Sequence, residues 1–466
     1  MSEFATIAGL IERARAAQAV AETFDQTQTD RVCAAAAWAI MEPSRNRALA
    51  ELAVRDTGLG NVADKVQKNH RKTLGLMRDL HGAKSVGVIA DDRATGITEI
   101  ARAAGVVGAI TPSTNPGATP ANMIINAMKG RNAIILAPSP KGASTAELLL
   151  RYVYAEFDRI GAPHDLVQVL PSPVSKALTY ELLQQVDLIV ATGSQANIRA
   201  AYSSGKPAFG VGAGNVAVIV DATADVAAAA ERIVRSKIFD NATSCSSENS
   251  VVIVDAVYDA MIAALEAQGC MLLNAEEKTQ LQNVMFPSGK LSPVVTAKSA
   301  SDIAAIAGLS RATAARVLMV HETGIGIGAP FSGEKLSPVM AIYRAENFAA
   351  AARVVTDIYG YQGAGHSVGV HAAPERADAL ALQLGLTLPV ARVIVNQAHC
   401  IATGGSFDNG LPFSLSMGCG TWGGNSFSDN LTYRNFLNIT RIARPIAQNM
   451  PEESVLFADY FSHVNR

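Results

Sequence analysis

The chain has 466 residues, 49% hydrophobic and 17% charged, with a formal net charge of −2. That length buries a large core and spans two or three domains, while near-neutral charge without a dense Lys/Arg stripe excludes a nucleic-acid footprint. No apolar run approaches the ~20 residues of a membrane span.

Acidic Glu3 and basic Arg13 and Arg15 break any secretory core at the start. The five cysteines (33, 245, 270, 400, 419) are widely spaced and match neither a disulfide framework nor a metal site. A soluble cytoplasmic protein without a bound metal is expected.

Helices are predicted through the first ninety residues, where Ile7, Leu10, Ile11 and Ala14, then Val32, Ala35, Ala36 and Ala39, follow the helical period. From about residue 100, short aliphatic runs alternate with helical stretches. Strands are predicted at 105–110, 133–136, 167–170, 188–190 and 216–220, with helices running to Lys129 and to about Phe157. A second series is predicted at 251–254, 315–320, 367–370 and 393–395. This βα alternation predicts parallel, doubly wound sheets and an α/β fold class. Residues 403–429 are rich in Gly and Ser and lack periodicity, as in a long functional loop.

A lone cysteine is ordinarily a small buried hydrophobe, and Cys33 and Cys270 read that way. Cys245 differs, because it stands in Thr243-Ser-Cys-Ser-Ser247, between a helix and a strand. A thiol in such a polar loop is accessible and lowered in pKa by nearby dipoles. Asn115, in the turn string Thr111-Pro-Ser-Thr-Asn-Pro-Gly117, is either a turn residue or an amide donor at a strand's carboxyl end. Gly193-Ser194 after the strand at 188–190 is either a helix cap or a phosphate-facing turn. Gly210-Val-Gly-Ala-Gly-Asn215 lacks the dinucleotide fingerprint spacing and precedes a strand. Taken alone, Glu334-Lys-Leu-Ser-Pro338 is a surface turn.

Order makes the stronger case. The strings Ile110-Thr-Pro-Ser-Thr-Asn-Pro116, Arg131-Asn-Ala-Ile-Ile135, Ala201-Tyr-Ser-Ser-Gly-Lys-Pro207, Gly210-Val-Gly-Ala-Gly-Asn215, Glu334-Lys-Leu-Ser-Pro338 and Gly418-Cys-Gly-Thr-Trp-Gly-Gly-Asn425 follow one another along the chain. In these the chain resembles the aldehyde dehydrogenase superfamily, and within it the CoA-acylating branch, from about residue 4 to 450.

The resemblance implies a Rossmann-type cofactor domain over 1–238, with a small oligomerisation arm near 92–104. It implies an α/β catalytic domain over 239–425, and a return to the cofactor domain with an oligomerisation segment over 426–466. Cys245 then matches the nucleophile that carries the acyl thioester, and Asn115 the amide that helps hold the oxyanion. Glu334 matches the acid at the nicotinamide ribose. Ile110, Thr111, Pro112, Ser113, Thr114, Gly193, Ser194, Gly212 and Met417 fall where the family contacts its cofactor. NAD or NADP is implied, with coenzyme A as co-substrate and a homodimer or homotetramer as the assembly. Ala137-Pro-Ser139 lacks the Lys that hydrolytic members place at the adenosine ribose, which leaves the two cofactors open.

Hydrolytic members open the fourth string with a water-activating Glu, where this chain has Gly210. Without that base, water attacks a thioester slowly while a thiol needs less help. Hydroxyls at Thr243, Ser244, Ser246 and Ser247 suit a substrate tail that hydrogen-bonds. A small anionic aldehyde is expected, sulfoacetaldehyde first, with succinate semialdehyde and acetaldehyde as alternatives. Arg392, His399 and His366 are the candidate cations for its tail. A hydrolytic aldehyde dehydrogenase and a non-catalytic scaffold relative are the competing readings.

Overall fold

The computed structural model describes residues 2–464. Its start is helical as predicted, with helices Glu3–Glu22, Gln26–Met41, Pro43–Thr57 and Val62–Leu80. Each begins on a side-chain cap: Ser2, Asp25, Glu42 and Asn61 accept from a first-turn N–H. The apolar stripes of the first two helices are buried against the first sheet.

That sheet has five parallel strands in the spatial order Val167–Val169, Ala133–Pro138, Val106–Thr111, Leu188–Thr192, Ala208–Val211. The second has seven, ordered Cys270–Leu272, Val317–His321, Val339–Ala345, Glu248–Val254, Val216–Val220, Val368–His371, Val393–Val395, again all parallel. In strand Val216–Val220, Ala217 and Ile219 join one core while Val216, Val218 and Val220 join the other. Side chains alternate across a strand, so a sheet covered on both faces carries an apolar run without gaps.

Two expectations change. Sheet pairing moves the division expected after residue 238: strand Val216–Val220 pairs with Glu248–Val254 and Val368–His371, so the crossover falls in the Gly-rich stretch before it. An apolar strand carries no mark of which sheet it will join. The arm expected near 92–104 is larger, being a three-stranded antiparallel sheet of Gly87–Asp92, Ile97–Ala103 and Leu437–Ala443. Ahead of that last strand, Leu431 and Phe436 are buried in the first core.

Strands Ala208–Val211, Cys270–Leu272 and Val339–Ala345 escape the sequence pattern. Short apolar runs read alike as strand or buried helix. Among the described residues no helix is long and apolar enough to cross a membrane, and no cluster of ligating side chains could hold a metal.

Candidate active site

Cys245 lies between the turn Phe239–Ala242 and strand Glu248–Val254, ahead of the amino end of the central strand of the second sheet. Asp240, Asn241 and Ala242 take φ values of 50°, 51° and 58°, a left-handed run that costs free energy in residues other than glycine. Buried charge holds it. The Asp240 carboxylate accepts from Lys68 Nζ at 2.6 Å, Thr243 Oγ1 at 2.8 Å, and Lys65 Nζ and the Asn61 N–H at 3.0 Å. Burial alone would raise this carboxyl; Lys68 and Lys65 outweigh it and hold it below its ordinary value.

Lys68 ties this turn to the first sheet. Its Nζ also donates to Thr243 Oγ1 at 3.0 Å and to Asn115 Oδ1 at 2.8 Å. Asn115 stands four residues beyond strand Val106–Thr111, and Lys65 reaches the same loop through Thr114 O at 3.1 Å. A lysine only donates, so the Asn115 oxygen faces Lys68 and its NH₂ is left for another acceptor. None of the sequence motifs marks Lys65, Lys68 or Asp240. The available signal was three lysines at 65, 68 and 72, which share a helical face.

Cys245 Sγ is 3.4 Å from His366 Nε2. His366 Nδ1 meets Ser367 Oγ at 2.8 Å, and Ser367 Oγ meets His399 Nε2 at 2.8 Å. All three partners are buried. The expectation of a lowered thiol pKa is corrected. Burial pushes the Cys245 thiol up, the Glu334 carboxyl adds to this, and its own N–H and Arg392 only oppose it. Burial, then the Arg392 charge, brings His366 down to about 3, so the thiol meets a neutral imidazole. Of the five cysteines only Cys245 is partly exposed.

Glu334 accepts from the Gly214 N–H at 3.3 Å, and burial raises its carboxyl to about 8. A Cβ at Gly214 would overlap the Cys245 carbonyl and stand 2.9 Å from His366 Cδ2. Gly214 is therefore the residue of the fourth string that packs against the Cys245 backbone and His366. At Gly210 a Cβ would instead meet Ile198 and Tyr202, each at 2.9 Å.

Ser194 caps helix Gln195–Ser203, accepting from the Asn197 N–H at 3.3 Å, beside Gly193. A Cβ at Gly212 would overlap Gln195, so this turn stays bare at a cleft of about 430 Å³ lined by Gln195, Ala213, Gln362, Cys419 and Trp422. Ile110 and Thr111 are buried at their strand end, where Thr111 Oγ1 has no partner, and Pro112, Ser113 and Thr114 follow half-buried. Met417 is buried and bridges to Asn430. A bare turn, an unpaired hydroxyl and an acid beside the thiol fit a nicotinamide cofactor entering from this cleft.

The expected tail cations are corrected. Arg392 spends its guanidinium on Asn430 Oδ1 and the carbonyls of His366, Gly418 and Ser428, at 2.8 to 3.2 Å. Burial keeps both His366 and His399 far below the ordinary imidazole range. None of the three is a free cation.

Two parallel layers meeting over a histidine-paired thiol define an α/β enzyme. Residues 2–357 match the aldehyde dehydrogenase family. The chain is 63% identical to the acylating sulfoacetaldehyde dehydrogenase of Cupriavidus necator over 99% of this chain and 93% of that one. It is 41% identical to that of Bilophila wadsworthia, over 98% of each. An acetylating aldehyde dehydrogenase from Geobacillus thermoglucosidasius superposes with a TM-score of 0.92 at 34% identity, covering 97% of this chain and 98% of that one. The chain belongs to the aldehyde dehydrogenase family and is an oxidoreductase, and the fold expected from the resemblance is borne out.

Proposed function

We propose that this protein oxidises sulfoacetaldehyde to its CoA thioester, using NAD or NADP, through an acyl thioester on Cys245. The observation that carries the mechanism is the 3.4 Å approach of Cys245 Sγ to a neutral His366 Nε2. The thiol passes its proton to Nε2 as sulfur attacks the aldehyde carbon, so no free thiolate is needed at rest. Asn115 Nδ2, turned outward by Lys68, donates to the oxyanion. Glu334, Gly193, Ser194, Gly212, Met417 and the 110–114 segment would hold the cofactor, which takes up the hydride when bound.

Release then needs an acyl acceptor. Glu334 keeps its proton up to about pH 8 and is a poor base for water at neutral pH. A thiol needs less activation, which favours CoA. The 63% and 41% identities to acylating sulfoacetaldehyde dehydrogenases support the substrate. Exposed Val88 and Ile442 lie on strands of the arm, where the protein would join a second copy as a cytoplasmic dimer or tetramer.

The test is steady-state NAD(P)H formation from sulfoacetaldehyde with and without CoA. Turnover should depend on CoA, with about one equivalent of NAD(P)H per site without it. Equal steady-state rates in the two conditions would establish hydrolysis instead.

A further inference from the structure

We infer that His399 is a positioning residue: through Ser367 it holds His366 in the tautomer whose bare Nε2 can take the Cys245 proton. This rests on the thiol chemistry proposed above and extends it past the first imidazole.

Four side chains stand in one line. Cys245 Sγ is 3.4 Å from His366 Nε2, His366 Nδ1 is 2.8 Å from Ser367 Oγ, and Ser367 Oγ is 2.8 Å from His399 Nε2. Burial lowers both imidazoles, so each is neutral and carries a single ring hydrogen. Ser367 likewise has one hydrogen to donate. With one hydrogen in each contact, the line can run in two directions. In the first, His366 Nδ1–H donates to Ser367 Oγ and the Ser367 hydroxyl donates to His399 Nε2. In the second, His399 Nε2–H donates to Ser367, the hydroxyl donates to His366 Nδ1, and His366 aims an N–H at the sulfur. Only the first gives the thiol a base: the S–H bond breaks as a new N–H bond forms at Nε2. With both rings donating to Ser367 instead, its buried hydroxyl hydrogen would be stranded, since Oγ has no other partner among the described residues.

The far end of the line decides its direction. Without an acceptor at 399, the one acceptor left to the Ser367 hydroxyl is His366 Nδ1, which drives the ring hydrogen onto Nε2. His399 Nδ1 is buried without a partner among the described residues, a cost that an apolar side chain would avoid. What the imidazole adds at this position is Nε2. The fold keeps it aimed. The His399 N–H donates to Glu248 Oε1 at 3.3 Å, and Ser236 Oγ donates to Glu248 Oε2 at 2.6 Å. A Cβ at Gly369 would stand 2.9 Å from His399 Nδ1, so that bare position leaves the ring its room. At the near end, His366 O accepts from Arg392 Nη1 at 3.2 Å and Ser367 O accepts from the Tyr359 hydroxyl at 2.6 Å.

The test reads the tautomers directly. The full chain, with its histidines enriched in the heavy nitrogen isotope, is examined by long-range nitrogen–proton correlation spectra. His366 and His399 should each show a hydrogen on Nδ1 and a bare Nε2, their signals assigned by loss in His366→Gln and His399→Gln. His399→Leu offers no acceptor, so part of His366 should convert to the Nε2–H form. Its kcat should fall about 3–10-fold, the worth of one neutral hydrogen bond, with the cofactor Kd unaltered. His399→Gln, whose amide oxygen can accept from Ser367, should restore most of the rate. A hydrogen on His366 Nε2 in the wild type would overturn the assignment, whether or not a variant folds. So would a kcat unaltered in His399→Leu, or an equal loss in the Leu and Gln variants. The spectra need no turnover, so a wild type with these tautomers that does not oxidise sulfoacetaldehyde would refute the proposed function and leave the assignment standing.

Discussion

Lys68 Nζ donates to Asn115 Oδ1 across 2.8 Å, and that bond fixes the direction of the amide. Asn115→Ala removes the outward NH₂, and kcat should fall by about 10²–10³-fold, as for loss of one oxyanion donor. Lys68→Met leaves the amide in place but free to turn, so kcat should fall by a smaller factor. An unchanged kcat in Asn115→Ala would remove it from the reaction.

Cys245→Ala should abolish turnover, and iodoacetamide should label Cys245 alone, since the other four cysteines are buried. Burial holds the thiol up, so labelling should climb steadily from neutral to alkaline pH. No inflection near 6.5 is expected, because His366 stays neutral there. A labelling plateau at neutral pH would show a preformed thiolate. Ser367→Ala cuts the link between His366 and His399; kcat should drop, and Ser367→Thr should restore it.

Buried histidines also set the acid limit of the fold. His366 and His371 are lowered to about 3 and 4, and His399 further, mainly by burial. Below the ordinary value of 6.5 the unfolded chain binds protons that the fold refuses, so stability is lost as pH falls. Each histidine contributes up to about 1.4 kcal/mol per pH unit. Glu248 and Glu334, raised to about 7 and 8, act oppositely above 4.5, so the loss should steepen below that pH. Thermal midpoints from pH 7 to 4 check this, and His371→Gln should flatten the curve.

How much was legible depended on the range of each interaction. The helical stripe of Ile7, Leu10 and Ile11 and the strand at 216–220 are local patterns and could be read. Cys245 stood out because hydroxyl residues surround it. Lys68, Asp240 and Ser367 were silent, since each acts through a partner more than a hundred residues away or through a single hydroxyl. The thiol's raised pKa was misread because a polar sequence does not reveal burial. Arg392 was misread because three of its four partners are backbone carbonyls, which every residue carries, and the fourth, Asn430, lies 38 residues away.

Gly210 and Gly214 separate two accounts of why water is not the acyl acceptor. By position in the string, Gly210 stands where hydrolytic relatives carry a base. By geometry, a side chain there meets Ile198 and Tyr202, and the Tyr202 hydroxyl already accepts from the Gly210 N–H at 3.0 Å. Gly210 is absent from the left-handed residues, so φ does not exclude a side chain; packing does. Gly210→Glu should therefore add no CoA-independent turnover, because its carboxylate starts out against helix Gln195–Ser203. Gly214→Ala should be far more damaging, since its methyl overlaps the Cys245 carbonyl and crowds His366. Loss of both iodoacetamide labelling and turnover in Gly214→Ala, with an unshifted thermal midpoint, is the expected result. CoA-independent NAD(P)H formation by Gly210→Glu would show that the side chain swings to the thiol, and would return the water-activating position to residue 210.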